Sequence, residues 1–273
     1  MKSHSDSQVL LPPHDPKAPA SRVTPVAADH SMDRGGEFRT PALLGNELAS
    51  HLEEQIVFGE LQPNSRLIEE TIVRQYGVSR SPVREALRSL EQNGLAVRQS
   101  RKGVSVSATS RKDLDEVYAC RMVLEGLAAE EAARHRSDAD VAALGALVER
   151  LAQAAAARDI REYFRHNVSM SSRICLAACN MTLMRLLDSL GKQALRYRYM
   201  VYSRLPEMID VSLEANRAIV EAIVRQNARH ARSLTIDVIQ RSWRSIAGYV
   251  EQGETPAPTD APDAPDAPDG RPG

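Results

Sequence analysis

The chain has 273 residues, of which 42% are hydrophobic and 4% aromatic, and its formal net charge at pH 7 is −1. This length and apolar content allow a sizeable core and indicate two domains, and the abundance of Ala, Leu, Arg and Glu favours helices over sheets. Two classes of protein are disfavoured, because no apolar run approaches the length of a membrane-spanning helix and three cysteines do not suggest a disulfide framework.

The first 40 residues form a predicted disordered tail. Residues 1–40 are rich in Ser, Pro, His and Asp and show no helical or strand periodicity. The beginning of this tail lacks the charged, apolar and small-residue order of a signal peptide, so we expect the protein in the cytoplasm.

A helix, a glycine turn and a second helix make up the most informative segment of the chain. Apolar residues at helical spacing predict the first helix (Ile68, Ile72, Val73 and Tyr76). Gly77 can adopt the left-handed conformation that ends a helix. Ser79 and Ser81 can cap the following helix, and Pro82 suits its first turn, where a missing backbone N–H costs nothing.

The second helix carries three arginines at intervals of four residues. Arg80, Arg84 and Arg88 therefore form one stripe along the helix. A separate apolar stripe can anchor the helix (Val83, Leu87 and Leu90). Guanidinium groups in this arrangement can reach phosphates or guanine edges in a DNA major groove. A solvated charged face is the alternative interpretation of the arginines taken alone.

A basic hairpin is predicted to follow. Asn93 and Gly94 end the helix, and two β-prone runs flank a basic tip at residues 98–103. Between Leu61 and Gly103, eight Lys/Arg residues stand against four acids. This succession predicts a winged helix-turn-helix DNA-binding domain over residues 41–108. The candidate DNA contacts are Ser79, Arg80, Ser81, Arg84, Arg88, Ser100, Arg101, Lys102 and Gly103.

The same segment resembles the N-terminal domain of the GntR family of bacterial transcription regulators. The resemblance rests on residues 77–87 and 90–95, and on the upstream helix and turn through Leu67. It implies that the wing tip enters the minor groove and that three of the candidates touch the operator (Ser79, Arg80 and Arg84).

Two positions depart from the pattern of that family. Asn64 stands where glycine is frequent, a change that asparagine tolerates in a turn. Glu70 stands where some members carry a DNA-contacting arginine. The second departure removes one expected phosphate contact.

Six helices are predicted between residues 109 and 252. Their starts and breaks are marked by Ser110, Asp138, Asp159, Asn180 and Pro206. Helices of this number and length imply an antiparallel bundle that can hold a ligand between them. Cys175 and Cys179 fall one turn apart, and we expect them to be small core residues rather than metal ligands.

The bundle resembles the FCD domain of the FadR subfamily. The resemblance rests on residues 118–125, 177–180 and 214–223. In many relatives, an Asp and three His of this domain hold a divalent metal that helps to bind a small carboxylate. The corresponding positions here are Asn167, Ser171, Asn216 and Val238. Because amide, hydroxyl and isopropyl groups cannot replace imidazoles, we predict no bound metal and no other cofactor.

Polar side chains at these positions indicate an effector pocket. Asn167, Ser171 and Asn216 suit an uncharged or partly polar ligand. Arg121 can bind a carboxylate, or it can form an ion pair with Glu125 one turn later. The candidate effector contacts are Arg121, Asn167, Ser171 and Asn216. The Arg- and Tyr-rich segment 196–204 either contributes to this pocket or forms an interfacial helix face.

A second disordered tail is predicted after the bundle. Residues 253–273 consist largely of Pro, Ala and Asp, with a repeated Ala-Pro-Asp triplet. The tail is either a passive solubilising segment or a weak competitor of DNA for the basic face.

Together these features predict a homodimeric regulator that binds a pseudo-palindromic double-stranded DNA operator. A small-molecule effector, such as a carboxylate, would control its binding. In the resembled family, repression is commoner than activation, and the alternative is a ligand-independent repressor whose bundle only dimerises. An enzyme is not expected, because only Lys192 remains after Lys112 to hold pyridoxal phosphate, and no P-loop, nucleophile elbow or dinucleotide fingerprint occurs.

Overall fold

The computed structural model describes residues 41–100 and 103–251. Its elements in that range are α1 (Pro41–Val57), α2 (Glu69–Tyr76), α3 (Arg80–Gln92), β1 (Ala96–Gln99), β2 (Gly103–Val106), α4 (Arg111–His135), α5 (Asp138–Ala156), α6 (Ile160–Ala177), α7 (Met181–Arg204), α8 (Met208–Val224) and α9 (Ala228–Glu251). The predicted fold class, a winged helix-turn-helix followed by a helical bundle, is confirmed. The two predicted tails lie outside the described residues, as do Arg101 and Lys102. None of the described helices combines the length and apolar character that crossing a bilayer requires.

The first three helices and the hairpin share one hydrophobic core. The apolar stripe of α3 is fully buried in it, as predicted (Val83, Leu87 and Leu90). β1 and β2 pair antiparallel, with Gln99 opposite Gly103. An isolated bridge between Arg66 and Ser105, which the sequence did not indicate, ties the segment before α2 to the hairpin. The core therefore fixes the orientation of α3 relative to the wing.

In the turn between α2 and α3, the predicted left-handed glycine is present, but the predicted serine caps are not. Gly77 has a φ of 64°, and its N–H bonds to the carbonyl of Val73. Pro82 lies in the first turn of α3. Ser79 occupies the N-cap position, but its side chain makes no capping hydrogen bond, and Ser81 already lies inside the helix. The predicted capping by these side chains is therefore wrong, and both serines are exposed.

Replacing Gly77 with alanine is expected to lower the free energy of unfolding by about 1 kcal/mol. The cause is conformational, because a side chain at a φ of 64° is strained even though no atom lies within 4 Å of an added Cβ. The matched Gly145→Ala change also adds a methyl group in open space, but inside α5, and should raise this free energy by about 0.5–1 kcal/mol. Chemical denaturation measures both, and shifts of the same sign would contradict this explanation.

The six predicted helices of the bundle are present as α4 to α9. Four of them begin with a side chain that accepts a hydrogen bond from a backbone N–H three residues later (Ser110, Ser137, Asp159 and Asn180). These caps satisfy backbone donors that have no partner within the helix. The chain thus specifies the helix starts locally, while the packing of apolar faces specifies the bundle.

The cysteine prediction holds for one of its two residues. Cys175 is buried in α6, where burial raises the pKa of its thiol to about 11. Cys179 is exposed, because α6 has already ended and the residue lies in a turn with a φ of 53°. The expectation that Cys179 is a core residue is therefore wrong. Cys120 of α4 is exposed as well.

Phe58, directly after α1, inserts into the hydrophobic core of the bundle. Its ring centroid lies 4.8 Å from that of Tyr199 and 5.9 Å from that of Phe164, edge-on to both. The guanidinium groups of Arg161 and Arg165 lie 4.6 and 5.4 Å from its ring centroid. The end of α1 therefore belongs to the second core as well as the first.

The junction between the end of α1 and the bundle, here called the joint, also contains polar contacts. Two ion pairs connect α6 to α1 and the turn that follows it (Arg161 with Glu60 and Arg165 with Glu54). Arg196 of α7 is buried and holds the linker after β2, donating to the carbonyl oxygens of Ser107 at 2.7 Å and Ala108 at 3.1 Å. Both α6 and α7 are thus bonded to the N-terminal half of the chain.

Candidate nucleic-acid interface and effector cavity

The arginine stripe of α3 lies on the surface. Arg80, Arg84 and Arg88 are all exposed, on a different side of the helix from its buried apolar stripe. The exposed hydroxyls of Ser79 and Ser81 stand at the N-terminal end of the same helix. Helix N-termini and guanidinium groups both attract phosphate, so this face can bind an anionic polymer.

Two of the three arginines are bonded to acids of α2. Arg84 Nε lies 3.0 Å from Glu69 Oε2, and Arg80 Nη2 lies 3.8 Å from Glu70 Oε1. Some members of the resembled family have an arginine at the position of Glu70. Here the acid at that position pairs with Arg80 instead. Because these pairs are largely exposed, each contributes little to stability, on the order of 0–1 kcal/mol. DNA phosphates can replace these acids as partners of the arginines.

Replacing Glu69 with glutamine is expected to tighten DNA binding about threefold, because Arg84 no longer has to leave a carboxylate and one negative charge leaves the interface. The matched control is Glu116→Gln, which removes the same charge from an exposed ion pair with Lys112 in the bundle. Fluorescence anisotropy with labelled DNA measures both affinities. Weaker binding by the Glu69 variant would show that the acid positions Arg84 rather than competing for it.

The wing presents fewer of the predicted contacts. Ser100 is exposed in the turn after β1, and Gly103 has a φ of 80°, in agreement with the positive φ predicted there. Arg98 is held by Glu91, with Nη2 2.7 Å from Oε1 and Nε 3.2 Å from Oε2. This bidentate pair fastens the hairpin to the end of α3. Arg101 and Lys102 lie outside the described residues.

The bundle encloses a small polar cavity, here named the polar chamber, with a volume of about 70 Å³. All four predicted effector contacts line it (Arg121, Asn167, Ser171 and Asn216). They come from α4, α6 and α8, and α7 and α9 complete the wall. The structure therefore brings the sequence-predicted set together.

Other residues that line the polar chamber lie three or four positions from the predicted ones on the same helices. Ser212 precedes Asn216 by four residues in α8, and Ser242 follows Val238 by four in α9. Side chains four residues apart share a helix face, so this spacing could have identified them. Thr235 of α9, also in the wall, lies three residues before Val238.

Hydrogen bonds connect the chamber wall into one network. Arg198 Nη2 donates to Asn167 Oδ1 at 2.7 Å and to Ser171 Oγ at 3.0 Å. Ser212 Oγ lies 2.9 Å from the Tyr202 hydroxyl, and its carbonyl accepts from Asn216 Nδ2 at 2.8 Å. The polar side chains predicted to bind a ligand are thus held in place by hydrogen bonds within the protein.

Arg121 is used as an ion-pair partner, which was one of its two predicted roles. Its Nε lies 2.6 Å from Glu125 Oε1. Burial by itself raises the pKa of the Glu125 carboxyl, but Arg121 and then Arg198 outweigh it and hold this pKa below its usual value. Arg121 Nη1 is buried without a hydrogen-bond partner. One donor of the guanidinium is therefore left without an acceptor in the protein.

Part of the segment 196–204 contributes to the pocket, which was one of the two alternatives that its sequence left open. Arg198 and Tyr202 line the polar chamber. Arg196 holds the linker, and Tyr199 packs against Phe58. Successive residues of a helix point about 100° apart, so neighbours in one segment serve different sites.

The residues present do not fit the metal that FCD relatives hold. The four corresponding positions, Asn167, Ser171, Asn216 and Val238, all line the polar chamber, so the alignment with those relatives is supported. In the described part of the chain, no group of three His, Cys, Asp or Glu side chains is arranged to hold a metal ion. The oxygens that α6 offers already bind the Arg198 guanidinium, whose positive charge would repel a divalent cation.

Two family descriptions match the chain. Bacterial regulatory proteins, gntR family, match residues 44–106, and the FCD domain matches residues 116–241. The chain is 42% identical over 81 residues to the HTH-type transcriptional regulator YdhC of Bacillus subtilis (strain 168), and the match covers 30% of the chain and only 36% of YdhC. It is 28% identical over 192 residues to the probable D-xylose utilization operon transcriptional repressor of Paenarthrobacter nicotinovorans, covering 70% of the chain and 84% of that protein.

Solved structures show the same architecture. The Escherichia coli McbR/YncC structure superposes with a TM-score of 0.67, covering 76% of this chain and 97% of that chain, at 23% identity. At this identity the likeness concerns the fold alone. The matched families and relatives are DNA-binding regulators and not enzymes. The chain therefore belongs to the GntR family of transcriptional regulators, with a gntR-type helix-turn-helix domain followed by an FCD domain.

Proposed function

We propose that the protein is a homodimeric repressor that binds a pseudo-palindromic operator and is controlled by a small effector in its FCD domain. The observation that carries the proposal is the exposed arginine stripe of α3, in a segment that matches the gntR family. We assign residues 41–108 to the DNA-binding domain and residues 109–252 to the effector and dimerisation domain. A regulator of this kind acts on the chromosome, which places it in the cytoplasm.

In this proposal α3 enters the major groove and the wing follows the backbone. Arg80, Arg84 and Arg88 contact phosphates or guanine edges, and Ser79 and Ser81 contact phosphates at the helix N-terminus. The wing contributes Ser100, Arg101, Lys102 and Gly103. Two such readers related by a twofold axis bind half-sites about one helical turn apart.

The polar chamber favours effector control over the alternative, a ligand-independent repressor. Arg121, Asn167, Ser171 and Asn216 come from three different helices and line one cavity. A bundle that only dimerises requires no polar interior, because apolar packing is enough for stability. The repressor assignment draws on relatives whose names include repressor.

Helix α7 provides a physical route between effector and DNA. Arg198 of α7 reaches the chamber wall, while Arg196, two residues earlier, holds the linker carbonyls of Ser107 and Ala108. A ligand that shifts α7 would therefore shift the linker and with it the spacing of the two readers. Because half-sites lie on fixed groove faces, a small change of spacing greatly weakens operator binding.

The test is binding of the purified full-length protein to DNA from its own promoter region by gel shift. We expect specific binding that weakens steeply with salt, since phosphate contacts release counterions. Light scattering on the same sample should give the mass of a dimer. Binding that does not depend on sequence, or a monomer that binds as tightly as any larger species, would contradict the proposal.

A further inference from the structure

The polar chamber contains a positive charge that the protein does not neutralise. Among its lining residues, the charged groups are Arg121, Arg198 and Glu125, which gives the lining a net charge of plus one. Glu125 is bonded to Arg121. Among the described residues, no carboxylate oxygen lies within 4.0 Å of the Arg198 guanidinium, whose bonded partners at Nη2 are oxygens of Asn167 and Ser171.

Such a charge is costly in a protein interior. Only 8% of Arg198 and 5% of Arg121 is exposed, and a buried cation without a carboxylate is stabilised only by dipoles. Burial and the neighbouring Arg121 both lower the pKa of Arg198, which reflects the same cost. An anion bound beside both guanidinium groups would offset it and would supply an acceptor for the unpartnered Nη1 of Arg121.

A second, larger cavity meets the chamber at the two arginines. This apolar cleft lies between α6 and α7 and has a volume of about 470 Å³. It shares Arg121, Glu125 and Arg198 with the chamber, along with Ser171 and Leu187. Its apolar lining is aliphatic or sulfur-containing and includes Val168, Cys175, Leu176, Met184, Leu187 and Leu190. The chamber is too small for a whole ligand, but the cleft falls within the range of about 300–1,000 Å³ that is usual for ligand sites.

The charges on the solvent side of the cleft cancel. The negative charges of Glu53 and Asp188 balance the positive charges of Arg185 and Lys192. The net charge of plus one that a ligand meets therefore comes from the inner group of Arg121, Arg198 and Glu125. Lys192 Nζ lies 3.7 Å from Glu53 Oε2, and Glu53 belongs to α1. The occupied cleft would therefore border on the N-terminal domain.

We propose that Arg198, together with Arg121, forms an anion site that takes the place of the metal in this domain, and that its ligand is a monocarboxylate with an apolar body. The carboxylate lies between the two guanidinium groups, and the apolar body fills the cleft between α6 and α7. The inference rests on the proposed effector control and adds the chemical class of the effector. It requires no metal.

The experiment compares acids with neutral amides of the same shape on the full-length protein. After treatment with EDTA, sodium hexanoate or sodium benzoate at about 10 mM should raise the Tm, while hexanamide and benzamide should not. Acetate, which lacks an apolar body, should bind at least tenfold more weakly than hexanoate. A response of the amides equal to that of the acids, no response to either acid, or a response that EDTA abolishes would overturn the anion site.

Two variants test the arginine itself. Arg198→Met should weaken hexanoate binding at least tenfold, whereas Arg225→Met, which removes an exposed arginine at the end of α8, should leave it unchanged. Asn167→Asp places a carboxylate beside Arg198, so it should raise the Tm without ligand by about 3 °C and abolish the hexanoate response. A fall in Tm for Asn167→Asp would contradict the claim that the positive charge of Arg198 is uncompensated. This test remains valid if Arg198→Met does not fold.

Operator binding measured on the same preparations separates the two proposals. DNA binding by a protein that responds to no carboxylate would refute the anion site and leave the DNA reader intact. Carboxylate binding by a protein that binds no specific DNA would support the anion site and refute its link to an operator.

Discussion

Replacing Arg84 with alanine is expected to weaken operator binding at least tenfold while leaving the fold unchanged. Arg84 lies in the middle of the exposed stripe of α3, and a guanidinium contact to a base edge or phosphate contributes about 1–3 kcal/mol to binding. Within the protein it pairs with Glu69, in an exposed ion pair that contributes on the order of 0–1 kcal/mol to stability. The loss should therefore appear in DNA affinity and hardly in the Tm.

The control for this variant is Arg225→Ala, which removes an exposed arginine from an ion pair with Glu221 in the bundle. Gel shifts at several salt concentrations compare the two proteins, and the Arg84 variant should also show a shallower salt dependence if the contact is to a phosphate. In the Arg84→Ala background, Glu69→Gln should no longer tighten DNA binding, because the acid then has no Arg84 to compete for. Equal DNA binding by wild type and the Arg84 variant would remove this residue from the interface.

Replacing Phe58 with alanine is expected to lower the free energy of unfolding by about 3–5 kcal/mol. The ring is buried in the second core and makes edge-on contacts with Tyr199 and Phe164, each worth about 0.5–1.5 kcal/mol beyond its buried area. Together with Val57, it also carries the end of α1 into the core of the bundle. We therefore expect the wild type to unfold in one cooperative transition and the variant in two, one for each core.

Leu43→Ala is the matched control for the Phe58 variant, because Leu43 lies on α1, the helix that precedes Phe58, with 49% of its surface exposed. Its effect should stay within about 0.5 kcal/mol. Differential scanning calorimetry resolves the number of transitions. A loss below about 1 kcal/mol for Phe58→Ala, with one transition retained, would show that the ion pairs of α6 and the Arg196 contacts hold the joint without the ring.

Most features of the DNA-binding segment could be predicted from the sequence, because the signals that specify them are local. A glycine that ends α2, a proline in the first turn of α3 and arginines at intervals of four each act within a few residues. The same holds for the helix starts at Ser110, Asp159 and Asn180, whose caps bind N–H groups three residues on. Expected side-chain capping by Ser79 failed, although the residue stands at the N-cap position.

What the sequence could not indicate is how these local units face each other. The pairing of Glu69 with Arg84 depends on the crossing of α2 and α3, and the burial of Phe58 depends on α6 and α7, more than 100 residues further along the chain. Cys179 was expected in the core because it follows Cys175 by one turn, but the helix ends between them. A helical period predicts a shared face only as far as the helix continues.

The sequence by itself determined the order of the elements, the arginine stripe and the positions where a metal site of the FCD type would stand. Tertiary structure alone decided that a guanidinium occupies the chamber those positions line. Arg196 and Arg198 differ by two residues and have the same chemistry, yet one holds the linker and the other binds Asn167 and Ser171. Two residues turn a helix by about 200°, and which side faces the chamber depends on the packing of α7 against its neighbours.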